Sequence, residues 1–446
     1  MWRLALSVYL MGCSLLGLAA DDKLMIISPH RKSIQDEFIP RFVEHYEKTY
    51  KNKVAVDWID QGGTENELRY VMAKYEKDPK SSGVDIFWGG GDVTFIELEN
   101  AKLLEKYKLP AKFDVIPNSV AGIPLRSAQK DWYGTALSSF GIFFNRKLLK
   151  VHKLPEPQKW ADMAKPEMFN QVIAADPRRS STAMLMNLIM LESAVLEYGP
   201  EKGWDKGWQL LFAFAGNTRS FTQSSSDPIK AVVSGEAMVA PAVDFYASSK
   251  VSELGTENLG FTLPVGETLF NSDPIAILKG APNRIAAERF IQFVLSEEGQ
   301  KLFILEKGSK DGPQKATLAR IGVNPLAYKN LQANQKLSVM NPFEFKGQNL
   351  KISFEKLAAS KKLLADLIGA LLIDNHKELK KAWEQARNSK DPKVLEELAA
   401  PPFKEKELAE LLKKWDDNFF RNRKINEWIN FAQAKYKKKL NLAPQS

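Results

Sequence analysis

From Lys23 onward, short apolar runs alternate with amphipathic helical stretches, and this rhythm limits the folds open to the chain. "KLMIIS" is short and apolar enough to be a buried strand. "SIQDEFIPRFVEHYEKTY" then places Ile34, Phe38, Phe42 and Tyr46 along one helical face. "KVAVDWI", "ENELRYVMAKYEKD" and "GVDIFW" continue as strand, helix and strand. A second alternating region runs from about Tyr133 to Gly260, through "VIAAD", "STAMLMNLIMLESAVLEYG", "SDPIKAVVSGE" and "AMVAPAVDFY". "LGFTLPVG" and "SDPIAILKG" return to strand before the helix "RIAAERFIQFVLSEEGQKLFILEKG". Such a repeat predicts an α/β protein whose sheets are mainly parallel, with helices on both faces. The chain's 446 residues exceed one ordinary core, so two α/β lobes are expected. From about Phe354 everything reads as helix. The expected organisation is a first lobe over 21–130, a second over 131–260 and a return to the first over 261–330. An all-helical portion over 331–446 then packs on the lobes.

The formal charge of +9 is uneven. From Leu331 onward about 23 Lys and Arg face about 15 Asp and Glu, so the first three quarters are nearly neutral. This tail has no nucleic-acid recognition motif and mixes both signs along its helices, which suits a solvated helical face. No nucleic-acid partner is expected. The apolar spacing of "LLADLIGALLI" is that of a packed helix rather than a docking arm.

The N-terminus, "MWRLALSVYLMGCSLLGLAADDK", joins an arginine to an apolar run too short to span a bilayer, followed by small residues. It predicts an export signal over residues 1–20, cleaved near Ala20, and a periplasmic destination. Lipid anchoring at Cys13, the only cysteine, is the alternative reading of "LMGC". With Cys13 removed, no disulfide can form in the exported chain. No later segment is apolar over the length a bilayer requires.

Candidate chemistry gathers where strands run into helices. In open α/β sheets those loops present unpaired helix N–H groups and a partial positive charge to a ligand. "SPHRKS" offers Ser28, His30 and Arg31, and "WGGGD" offers Gly89, Gly90 and Gly91, with Asp92 as a helix cap. "DPRRSSTA" offers Arg178, Ser180, Ser181 and Thr182. "FTQSSSDP" offers Ser225 ahead of a helix with Pro228 in its first turn, and "VDFYASS" offers Asp244 and Tyr246. Each serine could be an ordinary helix cap and each arginine a surface charge, but such loops occur in both lobes, as a cleft between them requires. The glycines are not a phosphate loop, because no lysine followed by Ser or Thr stands beyond them, and they lack the spaced third glycine of a dinucleotide fingerprint. Their expected role is a backbone against which a small solute lies. Among four histidines there is no His-Glu-x-x-His site and no Gly-x-Ser-x-Gly elbow, so an enzyme is not expected.

Several phrases in order resemble a known family: "IISPHRKSIQDEFIPRFVEHY", "DIFWGGG", "WYGTALSSFGIFFNRKLL", "IAADPRRSSTAML", "SSSDPIKAVVSGEAMVAPAVDFYA" and "FNSDPIAILKGAPNRIAAERFIQFVLSEEGQKLF". Together they cover most of residues 23–310. The chain resembles an extracytoplasmic solute-binding protein of an ABC importer, of the branch usually labelled iron(III), sugar-phosphate or phosphonate binding. The resemblance implies a two-lobed type II periplasmic-binding fold whose hinge strands lie near Trp132–Phe144 and Gly260–Gly266. It implies a monomer with no cofactor that captures a solute between the lobes and delivers it to an ABC permease in the inner membrane.

Ferric-binding relatives use a histidine, a glutamate and an adjacent tyrosine pair. Here His30 and Tyr246 match, but Phe245 replaces one tyrosine and Gly89–Gly90 stand where the glutamate would be. The expected solute is therefore a small organic anion of the sugar-phosphate or phosphonate type. Gly amides, hydroxyls including Ser139, and Arg31 or Arg178 would hold the anion. Asp244 and Asp273 would accept from sugar hydroxyls, and Trp88, Trp132 or Tyr133 could stack on a ring. Ferric ion held by His30 and Tyr246 is the alternative, and a periplasmic sensor subunit is a further one.

Overall fold

A computed structural model describes residues 22–120, 122–264, 266–344, 350 and 354–442. The export-signal reading and Cys13 lie outside the described residues. β1 (Asp22–Ile27), α1 (Lys32–Tyr50), β2 (Val54–Ile59), α2 (Thr64–Lys77), β3 (Ile86–Trp88) and α3 (Asp92–Asn100) alternate as the apolar periodicity requires. β1 pairs in parallel with both β2 and β3. A small ribbon of β4 (Ser119–Val120) and β5 (Ile123–Pro124) precedes β6 (Tyr133–Asn145) and α4 (Arg146–Val151). The second alternation comprises β7 (Val172–Ala175), α5 (Ser181–Tyr198), α6 (Pro200–Asn217), β8 (Thr218–Thr222), α7 (Asp227–Ser234), β9 (Val239–Val243) and α8 (Asp244–Leu254). The chain returns through β10 (Leu259–Thr262), β11 (Phe270–Ile277), α9 (Arg284–Leu295), α10 (Glu297–Ile304), β12 (Ile321–Gly322) and α11 (Pro325–Lys329). It ends in α12 (Phe354–Ile368), α13 (His376–Ala386), α14 (Pro392–Ala399), α15 (Leu408–Leu412) and α16 (Asn418–Leu442).

The strands form one curled sheet in the order β2-β1-β3-β11-β6-β9-β7-β8, with β10 and β12 also on β6. Its centre departs from the mainly parallel expectation: β11 is antiparallel to β3 and β6, and β6 is antiparallel to β9. A strand that carries the chain out of one half and another that carries it back must run in opposite senses. β6 pairs along Tyr133–Ser139 with β11 and along Phe140–Phe144 with β9, so a single strand serves both halves. All of its residues but the last are buried, which explains why "YGTALSSFGIFF" is uniformly apolar or small instead of alternating.

Two large apolar cores flank this strand. The near core gathers Phe38, Phe42, Trp88, Phe290 and Phe303 beneath β1, β3 and β11. The far core joins Ile142, Met186, Trp208 and Phe212 to Leu367, Trp383, Trp428 and Tyr436 of the C-terminal helices. The helical portion is thus built into the far half. α5 is apolar nearly all round because it is covered by α6 as well as the sheet. Trp88, Trp132 and Tyr133 are all in the interior, at 0%, 5% and 3% exposure, so none is free to stack on a ring.

Candidate solute-binding cleft between the lobes

The loops at the carboxyl ends of β1, β2 and β3 face those after β7, β8 and β9 across a cavity of 480 Å³. Six helices begin at its wall: α1 at Lys32, α2 at Thr64, α3 at Asp92, α5 at Ser181, α7 at Asp227 and α8 at Asp244. Ser180 caps α5 by accepting from the Ala183 N–H at 3.2 Å, and its hydroxyl also contacts that of Ser225. Helix starts in general leave first-turn N–H groups without intrahelical partners and carry a partial positive charge.

At the floor, Asp273 of β11 is 5% exposed and accepts from His30 Nε2 at 2.7 Å and from Arg320 at 2.5 Å. Desolvation alone would raise its pKa, but Arg320 and His30 outweigh that and hold the carboxyl at about 2. Burial, with Arg320 and Arg31 nearby, lowers the His30 pKa against the pull of Asp273. Neutral His30 donates from Nε2 to Asp273, and its Nδ1 accepts a hydrogen bond from the Ser28 hydroxyl at 3.0 Å. Arg320 lies with its guanidinium 4.2 Å from the centre of the Phe245 ring. Arg31 lies 5.3 Å from the centre of the Tyr246 ring and donates to Ser249 Oγ and the Leu318 carbonyl, both at 3.1 Å. No carboxylate stands within ion-pair distance of it among the described residues, Glu253 attracting it only from farther off, and its Nε is buried without an acceptor. Burial lowers the pKa of this guanidinium and raises that of the Tyr246 phenol.

His30, Arg31, Gly90, Gly91, Ser180, Ser181, Thr182, Ser225, Tyr246 and Asp273 all line the cavity. Five other candidates do not. Ser28 is fully buried behind His30. Gly89 lies against the same ring. Ser139 donates its N–H and hydroxyl to Asp244 at 3.0 and 2.8 Å, so these two satisfy one another inside the fold. Burial raises the Asp244 carboxyl to about 6 despite those donors. Arg178 is turned away into Asp176 and Asp374 at 2.8 and 2.9 Å, tying the β7–α5 loop to the helical portion. It is the neighbouring Arg179 that lines the cavity.

The glycine triplet also answers to a constraint within the fold, besides placing Gly90 and Gly91 at the cavity wall. Gly89, Gly90 and Gly91 have φ of 94°, 95° and 82°, a left-handed run that side-chain-bearing residues resist. A Cβ on Gly89 would stand 2.8 Å from the His30 ring, on Gly90 2.6 Å from Thr64 Cγ2, and on Gly91 2.9 Å from Asn271 Nδ2. What approaches the backbone most closely is the protein's own side chains. Asp92 does not cap α3 as expected, since Gly91 holds that position. Its carboxyl instead accepts from the Ser272 N–H at 2.9 Å, and burial raises its pKa to about 8.

Arg320, Lys361, Asn271 and the loop Asp60–Thr64 also line the cavity, and sequence reasoning missed them. "DQGGTEN" carried the same strand–glycine–helix signal as "WGGGDVT" and was legible by the same logic. Arg320 and Lys361 had no local signal, because they reach the cleft from segments far along the chain.

The family of bacterial extracellular solute-binding proteins matches residues 83–341. The chain belongs to it. Members of this family are the capture components of ABC importers, not enzymes, and hand their solute to a membrane permease. Among relatives of this solute-binding protein is the phosphoglycerate transport regulatory protein PgtC of Salmonella typhimurium, 24% identical over 73% of this chain and 77% of its own. The iron uptake protein A1 of Synechocystis is 29% identical over 43% of this chain and 52% of its own. Among solved structures, the periplasmic binding protein AfuA of Actinobacillus pleuropneumoniae, with fructose-6-phosphate bound, has a TM-score of 0.59. It is 20% identical and covers 81% of this chain and 98% of AfuA. The apo ferric ion-binding protein A of Pasteurella haemolytica has a TM-score of 0.54 at 18% identity, covering 80% of this chain and 98% of its own. These likenesses share the two-lobed type II fold.

Proposed function

We propose that this solute-binding protein captures a small organic anion of the sugar-phosphate or phosphonate type between a near lobe (21–130 and 261–330) and a far lobe (131–260). It then delivers that solute from the periplasm to its permease. The observation that carries this reading is Arg31, a half-buried guanidinium that faces the cavity with a buried, unsatisfied Nε and no ion-paired carboxylate among the described residues. An anionic solute would supply the missing counter-charge, and a charge-assisted hydrogen bond of this kind contributes about 1.5–3 kcal/mol. The helix starts and hydroxyls around Ser180–Thr182 and Ser224–Ser226 suit the oxygens of a phosphoryl group. Ferric ion is less well supported: His30 Nε2 is engaged by Asp273, and Phe245 and Gly90 offer no ligand atom. The name of the PgtC relative favours a phosphorylated carboxylic acid as a second solute type, and a regulatory role as a second reading of its use.

Titration calorimetry with a panel of sugar phosphates, phosphonates and phosphoglycerates tests the proposal. Binding tighter than millimolar by at least one member, weakened about tenfold or more by Arg31→Met, is expected. Failure of every member to bind, together with a visible tyrosinate band on adding ferric citrate, would replace this reading with the iron one.

A further inference from the structure

The charged groups at the cleft mouth include one set that joins the two halves directly. Glu65, in the first turn of α2, and Glu97, in α3, belong to the near half. Lys361 belongs to α12, whose Leu363, Leu364 and Leu367 are part of the far core. Its ammonium stands 3.0 Å from Glu65 Oε1 and 2.6 Å from Glu97 Oε1, the latter an ion pair off the hydrogen-bonding direction. Ser181, at the start of α5 in the far half, donates its hydroxyl to the same Glu65 oxygen at 2.5 Å. Two elements of one half thus converge on carboxylates of the other.

The Lys361 side chain is 13% exposed, and those of Glu65 and Glu97 are 26% and 28% exposed. Charges at this depth are screened less than a surface pair, so their attraction is worth more than the near-zero typical of exposed bridges. Opening the cleft would separate the carboxylates from both Lys361 and Ser181. It would also leave Glu65 and Glu97 facing one another without the ammonium that lies between them. Burial pulls the Lys361 pKa down, but the two carboxylates outweigh it and raise the value, so the lysine stays charged. Lys361 likewise holds the Glu65 carboxyl below its usual range against burial, whereas burial raises that of Glu97 despite the lysine.

We infer that Lys361, Glu65, Glu97 and Ser181 form a latch between the lobes that favours the closed cleft without any solute. The C-terminal helical portion, through α12, is the element that carries it. Closure by such a latch lowers the conformational cost that a solute must otherwise meet on binding.

Small-angle scattering of the full chain, stripped of solute by unfolding and refolding, reads the latch directly. Wild-type protein and Lys361→Arg are expected to scatter as closed forms. Lys361→Met and the double variant Glu65→Gln/Glu97→Gln are expected to show a larger radius of gyration, with unchanged circular dichroism. Should Lys361→Met fail to fold, the near-isosteric glutamine pair carries the same comparison. A wild-type curve already open, or both variants superimposing on a closed wild type, overturns the latch. Because no solute enters this measurement, its failure is separate from failure of the proposed anion site.

Discussion

Arg320→Met isolates the charge balance at the floor of the cleft. Arg320 is 2% exposed and shares Asp273 with His30. Methionine preserves much of the volume but leaves Asp273 a buried carboxylate with only a neutral imidazole beside it. Breaking a buried pair from one side costs about 3–5 kcal/mol. For a chain of this size that corresponds to a fall in Tm of roughly 3–6 °C. The loss should also depend on pH, because His30 can replace the missing cation. In the wild-type protein the His30 pKa is lowered, so its contribution is complete above about 6.5 and is lost as pH falls. Removing Arg320 takes away one cation that repels the imidazolium and leaves Asp273 to attract it, so the His30 pKa rises in the variant. Below that raised value the new imidazolium–carboxylate pair is present, and it is lost as pH rises. Urea denaturation at pH 8 and pH 5.5 would therefore show the larger destabilisation at pH 8. A loss below about 1 kcal/mol, or one equal at both pH values, would refute the charge-balance argument.

Other consequences can be measured independently. Gly90→Ala must accept a φ of 95° and a Cβ 2.6 Å from Thr64 Cγ2, so a loss of about 1–3 kcal/mol by urea denaturation is expected. An unchanged midpoint would mean the loop relaxes freely. Asp92, with its carboxyl raised to about 8, gives stability that is complete below about pH 4 and is lost as pH rises through 8. Asp92→Asn should accordingly flatten the fall in Tm between pH 6 and 9, whereas parallel curves would show that this carboxyl does not titrate there. Deleting residues 404–446 removes Trp415, Trp428 and Tyr436, at 3%, 4% and 1% exposure, from the far core. Each is worth about 1.5–3 kcal/mol, so aggregation or a large fall in Tm is expected. A truncated protein with wild-type Tm would identify the tail as a separable arm.

The strand–helix rhythm was legible because burial imposes its period directly on the sequence: Ile34, Phe38, Phe42 and Tyr46 mark one face of α1, and all four are buried. The antiparallel course of β6 and β11 left no such mark, since a buried strand reads the same in either direction. The strand-end loops could be located, but what their residues face could not. In "DPRRSS", Arg178 and Arg179 are adjacent and chemically identical, yet Asp374, almost two hundred residues away, draws only the first aside. Ser139 and Asp244 were likewise recognised as polar groups near the cleft, although their mutual hydrogen bonds exist only once β6 and β9 pair. Arg320 and Lys361 carried no signal for the same reason: the chain folds back to bring them to a site assembled elsewhere.

β6 gives Tyr133, Ala136 and Leu137 to the near core and Phe140, Ile142 and Phe144 to the far one. Neither half can be excised as an autonomous unit without tearing a strand out of the other. The two interiors, although distinct, are mechanically indivisible and should melt as one event. Engineered insertions and split-protein fragments should therefore avoid this junction and use the exposed connections at its periphery.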